Sequence, residues 1–306
     1  MGLQTRTAGS APTRPRSNSW LKVRIGKLGS DSLMLLVTLV FAFIFGIPLF
    51  WAITSALKQP NQIYLVPPLW IPSPPRWSNF VEVGQVVPFF VFVRNSFFVT
   101  ITGTIGGVVS ASLVGYGFSY FRFRGRTFLF MVVLATMMLP QAVTLIPTYL
   151  LFAKLGWLDS YKPLIVPLYF GGGAFSIFLF RQFFLTIPRD FLDASRVDGC
   201  GSFRFYWQIL MPLSVPVVIT DCILYFQYLW SDFLTPLIYL QSTEKLTVSV
   251  GLLSLQNSLG MQANAGKPTE HLLMAGSVLA MIPSVILFFA LQRYFIRGVV
   301  MSGIKG

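Results

Sequence analysis

The sequence predicts an all-α integral membrane protein with six transmembrane helices, and three observations carry that expectation. Of 306 residues, 54% are hydrophobic and only 11% charged, at a mean hydropathy of +0.68. A soluble domain carries about 25% charged residues, so too little polar surface is left to face water. Six apolar runs are long enough to cross a bilayer, for which about 20 residues suffice. The net charge of +13 is not read as a nucleic-acid signature, because the basic residues gather in particular links between the runs.

Residues 1–30 hold Arg6, Arg14, Arg16, Lys22, Arg24 and Lys27 among Ser, Thr, Pro and Gly and read as a mostly disordered basic tail. The six-helix domain is expected over 31–306. Its first run, Leu33 to Leu57, exceeds a signal-peptide core of about 7–15 residues and reads as an uncleaved first span. The Pro-rich segment 59–88 is expected to form no helix, because prolines at this density forbid one, and its Trp70 and Trp77 suit a membrane interface. Further spans are expected near 93–120, 127–152, 163–186, 213–240 and 271–296, with long links at 187–212 and 241–270. Gly103, Gly107, Ala111 and Gly115 form a small-residue stripe of the kind that lets helix backbones approach closely in lipid. Pro140, Pro147 and Gly171–Gly173 mark expected kinks or breaks, tolerated at membrane depth where backbone lines a cavity or packs against protein.

Charge orients these spans. With a cytoplasmic N-terminus, 16 of the 23 basic residues fall inside: those of the tail, Arg122, Arg124 and Arg126, the arginines of 181–204, and Arg293, Arg297 and Lys305. Both termini are therefore expected in the cytoplasm and segments 59–88 and 241–270 outside.

The composition also excludes chemistries. Cys200 and Cys222 give neither a metal spacing nor a disulfide framework, and His271 is the only histidine. No metal site, catalytic triad or paired-carboxylate site is expected, and hence no catalytic residue and no bound cofactor. GMQANAGKP, from Gly260, misses a phosphate-binding loop by one extra residue and by Pro268 where Ser or Thr is needed.

The most informative stretch is IPRDFLDASRVDGCGSFRFYWQILMPLSVP, Ile187 to Pro216. Asp190 can cap a helix with Asp193 three residues on, both acids suit the positive end of the helix dipole, Gly199 is a natural stop, and Ser202 can cap a second short helix ending near Pro212. A compact helix–turn–helix knob, able to transmit displacement, is expected.

Here the sequence resembles the EAA motif of ABC importer permeases, E-A-A-x-x-D-G with later I and P positions. It stands as Asp193, Ala194, Ser195, Asp198 and Gly199, with Ile209, Pro212 and Pro216 following. Asp193 replaces Glu, Ser195 and Cys200 replace Ala, Tyr206 replaces Phe and Met211 replaces Leu. LWSDFLTPLIYL, Leu229 to Leu240, is similar to the W-N-E/D-F-L-x-P-L signature of carbohydrate permeases with Ser231 for Asn, and LQRYFIRGVVMSGIKG resembles the ending of the same group.

The resemblance, to MalG-like subunits of binding-protein-dependent carbohydrate importers, implies a type I importer permease fold in a bacterial inner membrane. It implies a coupling loop at Asp193–Gly199 and Pro212 that docks on a separate ATPase, where ATP and Mg²⁺ are bound. A second, MalF-like permease, two ATPase subunits and an extracytoplasmic solute-binding protein are the implied partners, besides membrane lipid.

Asp193 is the candidate for an ATPase ion pair. Asp232, beside Trp230, reads either as a gate or substrate contact or as an interface residue. Gln141 reads as a pathway residue or an interhelical hydrogen bond, and Asp221 as the partner of a basic residue on a neighbouring helix. The competing expectation is an ATP-independent secondary transporter or channel.

Overall fold

In the computed structural model, the backbone is described for residues 19–263 and 268–303 and the side chains for 32–261 and 268–292. The expected tail over 1–18, the Gly266–Lys267 part of the near-miss loop and the side chains of the basic ending from Arg293 therefore lie outside the described residues. No strand occurs among those described. In order come α1 (Ser19–Ala56), α2 (Asn79–Val86), α3 (Phe89–Tyr120), α4 (Arg126–Thr136), α5 (Gln141–Lys154), α6 (Lys162–Ile165) and α7 (Ala174–Thr186). Then follow α8 (Asp190–Val197), α9 (Ser202–Phe205), α10 (Met211–Leu213), α11 (Val215–Ser231), α12 (Leu234–Tyr239), α13 (Val248–Ala263) and α14 (Glu270–Gly303).

Four stretches are long and apolar enough to cross a membrane: Ser32–Ala56, Phe89–Tyr120, Lys162–Thr186 and Glu270–Gln292. Two bent pairs raise the number to six if each crosses as one span: α4 with α5, bent by 96°, and Ser202–Leu213 with α11, bent by 80°. The first bend falls at Pro140, whose ring excludes a continuing helix and places the preceding residue outside the helical region. Pro147, by contrast, sits inside α5 without ending it, and α2 forms within the Pro-rich segment 59–88, where no helix was expected, because its residues Asn79–Val86 include no proline. Gly171 and Gly172, at φ +103° and +70°, break the chain between the turn Val166–Tyr169 and α7.

Residues up to Trp51 form one compact unit and those from Ala52 a second. In the first, α1 begins at Ser19, well before the expected start at Leu33. The intervening WLKVRIGKLGSDS contains no proline, and extending an existing helix into it needs no new nucleus.

In the second unit α3 is the central element, packed on α7 and α11. Its small-residue stripe faces both. A Cβ on Gly107 would lie 2.6 Å from the Tyr225 ring of α11, and one on Gly115 would lie 2.8 Å from Cβ of Phe180 on α7. Neither contact leaves room for a side chain, so α3 meets α11 and α7 closely because these two positions are glycine. Two buried clusters result. One, around Phe89, Phe92, Trp230, Leu255 and Ala275, joins α3, α11, α13 and α14. The other, around Tyr116, Phe180, Phe184, Phe205, Tyr206 and Leu210, joins α3, α7 and the α8–α10 segment.

Candidate functional site

The link between α7 and α11 folds into the expected helical knob, with two corrections at its helix starts. Arg189 (φ −67°, ψ −19°), not Asp190, is the N-cap of α8, and Gly201, not Ser202, is the N-cap of α9. Neither cap makes a side-chain hydrogen bond. Arg189 already adopts helical angles after Pro188, so Asp190 becomes the first helical residue. Asp190 and Asp193 still occupy the first turn, where negative charge opposes the helix dipole.

The other end of α8 closes firmly. Gly199 adopts φ +71°, the left-handed region that Cβ-bearing residues avoid. Its N–H donates to Arg196 C=O at 3.0 Å and the Cys200 N–H to Ser195 C=O at 2.8 Å, the pair of bonds of a Schellman cap. On α8, Leu192 and Ser195 face inward, one turn apart, and Ser195 Oγ donates to Leu192 C=O at 2.7 Å. Asp193, Ala194, Asp198 and Gly199 are exposed. Asp193 lies 3.8 Å from Arg196 with both side chains well exposed, a contact of little energetic weight.

The return limb is a π turn, Tyr206–Leu210, followed by Pro212 in α10. Pro212 has no N–H to give to Gln208, and its ring would crowd that carbonyl in a regular α-helix. The wider π turn relieves this crowding, a usual setting for such turns. Ser214 then bonds back through Oγ to Leu210 C=O at 2.7 Å, fully buried, at the 80° bend into α11.

The knob is tied to the bundle through buried aromatic groups. Phe205, Tyr206 and Leu210 are at most 1% exposed. The Tyr206 hydroxyl hydrogen-bonds Ser112 Oγ of α3 at 2.7 Å, and Tyr116 Oη donates to Ser202 C=O at 3.0 Å. Outward, the knob presents Phe191, Val197, Phe203 and Trp207, between 46% and 88% exposed. It thus combines a fixed root with an apolar, mixed-charge tip.

The remaining candidates lie elsewhere. Trp230 is 5% exposed, stacked on Phe226 at 5.6 Å, and its Nε1–H donates to Ala280 C=O at 3.0 Å. Asp232 follows the end of α11 and accepts the Thr235 N–H at 3.2 Å, so it opens α12. Gln141 is exposed as the first residue of α5, directly after the Pro140 bend. Among the described residues no hydrogen bond, ion pair or ring contact joins these three to the knob or to one another. Asp221 is wholly buried, and its partner is not the expected cation: Ser176 Oγ of α7 donates to Oδ1 at 2.6 Å, and Oδ2 has no partner among the described residues.

The sequence reading missed two ties at the end remote from the knob. Asp159 accepts from Gln241 N–H (3.0 Å), Ser242 N–H (2.9 Å), Ser242 Oγ (2.5 Å) and Lys245 Nζ (2.8 Å). Lys245 and these donors hold its carboxyl well below the usual carboxylate range. Asn95 of α3 donates to the carbonyls of Glu244 and Leu246. Beside them, a groove of about 780 Å³ is lined by Arg94, Phe98, Tyr161 and Glu244. Asp159 takes a positive φ of 51°, a region Asp tolerates better than most residues, and no motif in the sequence marks it.

Residues 103–301 match the family described as binding-protein-dependent transport system inner membrane component. The chain belongs to that family. The sn-glycerol-3-phosphate transport system permease protein UgpE of Yersinia enterocolitica is 35% identical over 262 residues, which cover 83% of this chain and 90% of that protein. The arabinooligosaccharides transport system permease protein AraQ of Bacillus subtilis is 32% identical over 274 residues, 88% of this chain and 93% of AraQ. The fold is that of an importer permease. A chain from the crystal structure of a bacterial ABC transporter involved in import of the acidic polysaccharide alginate superposes with TM-score 0.76 at 23% identity, covering 93% of this chain and 100% of that one. A second alginate transporter structure, in complex with an alginate pentasaccharide-bound periplasmic protein, matches with TM-score 0.60 at 15% identity. As a member of that family, the chain is a permease subunit of an ABC importer.

Proposed function

We propose that this permease pairs with a second permease subunit to form the path of a carbohydrate importer, taking a sugar or sugar-like solute delivered by a solute-binding protein. The chain itself carries no chemistry. ATP and Mg²⁺ act on two separate ATPase subunits, which receive the knob at Asp193–Gly199. The observation that carries this reading is the knob's construction: a Schellman-closed helix, a π turn and buried aromatic anchors expose a rigid apolar tip. A rigid projection moves as a unit with whatever it docks on, whereas a flexible link would absorb the displacement.

In the proposed orientation all six spans cross, both termini and the knob lie in the cytoplasm, and segments 59–88 and 241–270 receive the binding protein outside. Three arginines in the α3–α4 turn and three more on the knob, Arg189, Arg196 and Arg204, favour that sidedness. The relatives support a bacterial inner membrane as its location. UgpE and AraQ, with names for glycerol 3-phosphate and for arabinooligosaccharides, support the solute class. Asp193 would pair with a base on the ATPase, and Asp232 and Gln141, each at a helix break, would border the path.

The test is ATP hydrolysis by the reconstituted complex with substrate-loaded binding protein, for the native chain and for Asp193→Lys. Stimulated hydrolysis that the substitution abolishes supports the reading. Uptake that persists without ATP, with no ATPase copurifying, would make an ion-coupled secondary transporter the better account.

A further inference from the structure

The turn joining α3 to α4, FRFRGR from Phe121 to Arg126, alternates aromatic and cationic side chains. It sits at the same end as the knob, since Tyr116 near the end of α3 contacts both Phe121 and Ser202. Arg122 and Arg124 are exposed, and neither makes an ion pair among the described residues; Arg126 is half-buried and donates only to Phe121 C=O at 3.2 Å. A cavity of about 360 Å³ opens here, lined by Arg122, Phe123, Gly125, Arg126, Thr127 and Phe128.

A fourth cation belongs to the same cluster. Arg181 of α7 lies 4.2 Å over the ring of Phe130, and its Nε is buried without a hydrogen-bond partner. Phe130 lies one helical turn beyond Arg126 on α4, so Arg181 packs on the same stretch of helix. Four arginines thus lie in the turn or against the first turns of α4, with no carboxylate paired to any of them among the described residues. On the side leading away from the turn, α4 exposes an apolar surface: Phe128 (71%), Leu129 (47%), Met131 (59%) and Val132 (46%). Polar anion-seeking groups above and an uncovered apolar helix below match the two halves of one amphiphile.

We propose that this turn and the start of α4 form a seat for an anionic phospholipid, its phosphodiester among Arg122, Arg124, Arg126 and Arg181 and its acyl chains along α4. Guanidinium is suited to phosphate because it offers paired donors in one plane. A zwitterionic lipid would bring its own cation into a cluster that already holds four. The seat secures the turn beside the knob and depends on neither transport nor substrate identity.

Native mass spectrometry tests this on the purified, delipidated complex titrated with phosphatidylglycerol or phosphatidylcholine. Wild type is expected to prefer phosphatidylglycerol at least tenfold. Each basic residue near an anionic lipid surface contributes roughly fivefold, so R124Q should weaken binding about fivefold and R122Q/R124Q/R126Q about a hundredfold, while R124K retains most of it. R124Q alone suffices should the triple variant fail to fold, because Arg124 is exposed and makes no contact in the fold. Equal affinity for the two lipids, or unchanged binding by R124Q, overturns the proposal. Displacement of phosphatidylglycerol by an equal concentration of inorganic phosphate reassigns the cluster to a free anion. Binding that appears only after the ATPase is stripped away reassigns it to a subunit interface.

Discussion

Replacing Gly199 separates two explanations of why a glycine ends α8. One is conformational: φ +71° costs any residue with a Cβ about 1–2 kcal/mol. The other is steric: a docked ATPase approaches the backbone too closely for a side chain. Within the chain a Cβ at Gly199 would meet nothing within 4 Å, so the intramolecular cost is that of the backbone angle alone. For Gly199→Ala it is about 1 kcal/mol, enough to lower the ratio of closed to open knob roughly fivefold. The bonds Gly199 N–H to Arg196 C=O and Cys200 N–H to Ser195 C=O would then be broken in a larger share of molecules. Asn, which enters the left-handed region more readily, should cost less than Ala, and β-branched Val should cost most. The conformational account therefore orders ATPase stimulation as Gly, Asn, Ala, Val, measured in the reconstituted complex with loaded binding protein and normalised to copurified ATPase. An order of Gly, Ala, Asn, Val follows side-chain size and would refute the conformational reasoning. Full activity of Gly199→Val would refute both accounts.

Three further outcomes are expected. Ser176→Ala strands the buried Asp221 carboxyl and should destabilise the permease by about 1–3 kcal/mol; adding Asp221→Leu should recover part of the loss, read as the melting midpoint in detergent. Tyr206→Phe removes one buried hydrogen bond worth about 0.5–1.5 kcal/mol, while Ser112 keeps its bond to Val109 C=O, so coupling should fall while assembly persists, as measured by ATPase stimulation and copurification. The Asp159–Lys245 tie involves a carboxyl whose folded value is depressed, so its contribution is complete above about pH 4 and is lost only as the pH falls through the lowered value. Proteolysis of the 241–247 link should therefore be unchanged from roughly pH 5 to 8 in wild type and faster throughout that range in Asp159→Asn.

What the sequence made legible was local. Apolar length marks spans, and Pro140 and Gly171–Gly173 act on their own backbone, so these breaks could be placed by number. The Gly103–Gly115 stripe predicted close packing because a missing side chain has the same consequence whichever helix arrives. Contacts between distant segments were not legible. Tyr206 looked like a departure from Phe, and only the fold brings its hydroxyl to Ser112, 94 positions away. Asp221 suggested a cationic partner because a buried charge needs one, but the cluster supplies a hydroxyl instead. The start of α1 was set too late because polar composition was read as disorder, although a helix grown from an apolar run extends readily into lysine- and arginine-containing sequence.

These distant contacts also bear on how a displacement of the knob would spread. Two routes leave it. One passes the Ser214 bend into α11, where Pro212 and Pro216 each remove a backbone donor, so this connection can flex. The other passes through Tyr206–Ser112 and Tyr116–Ser202 into α3, an unbroken helix of 32 residues. Beyond that entry the routes merge, because at Gly107 the Tyr225 ring of α11 lies against the α3 backbone, and a Cβ at Gly172, in the break before α7, would lie 2.4 Å from Gly107 C=O. With no room for a Cβ between them, the two backbones cannot slide without a steric penalty. A push on the knob therefore reaches α3 and the α7 break together, and the proline bend in α11 accommodates the difference in angle between them.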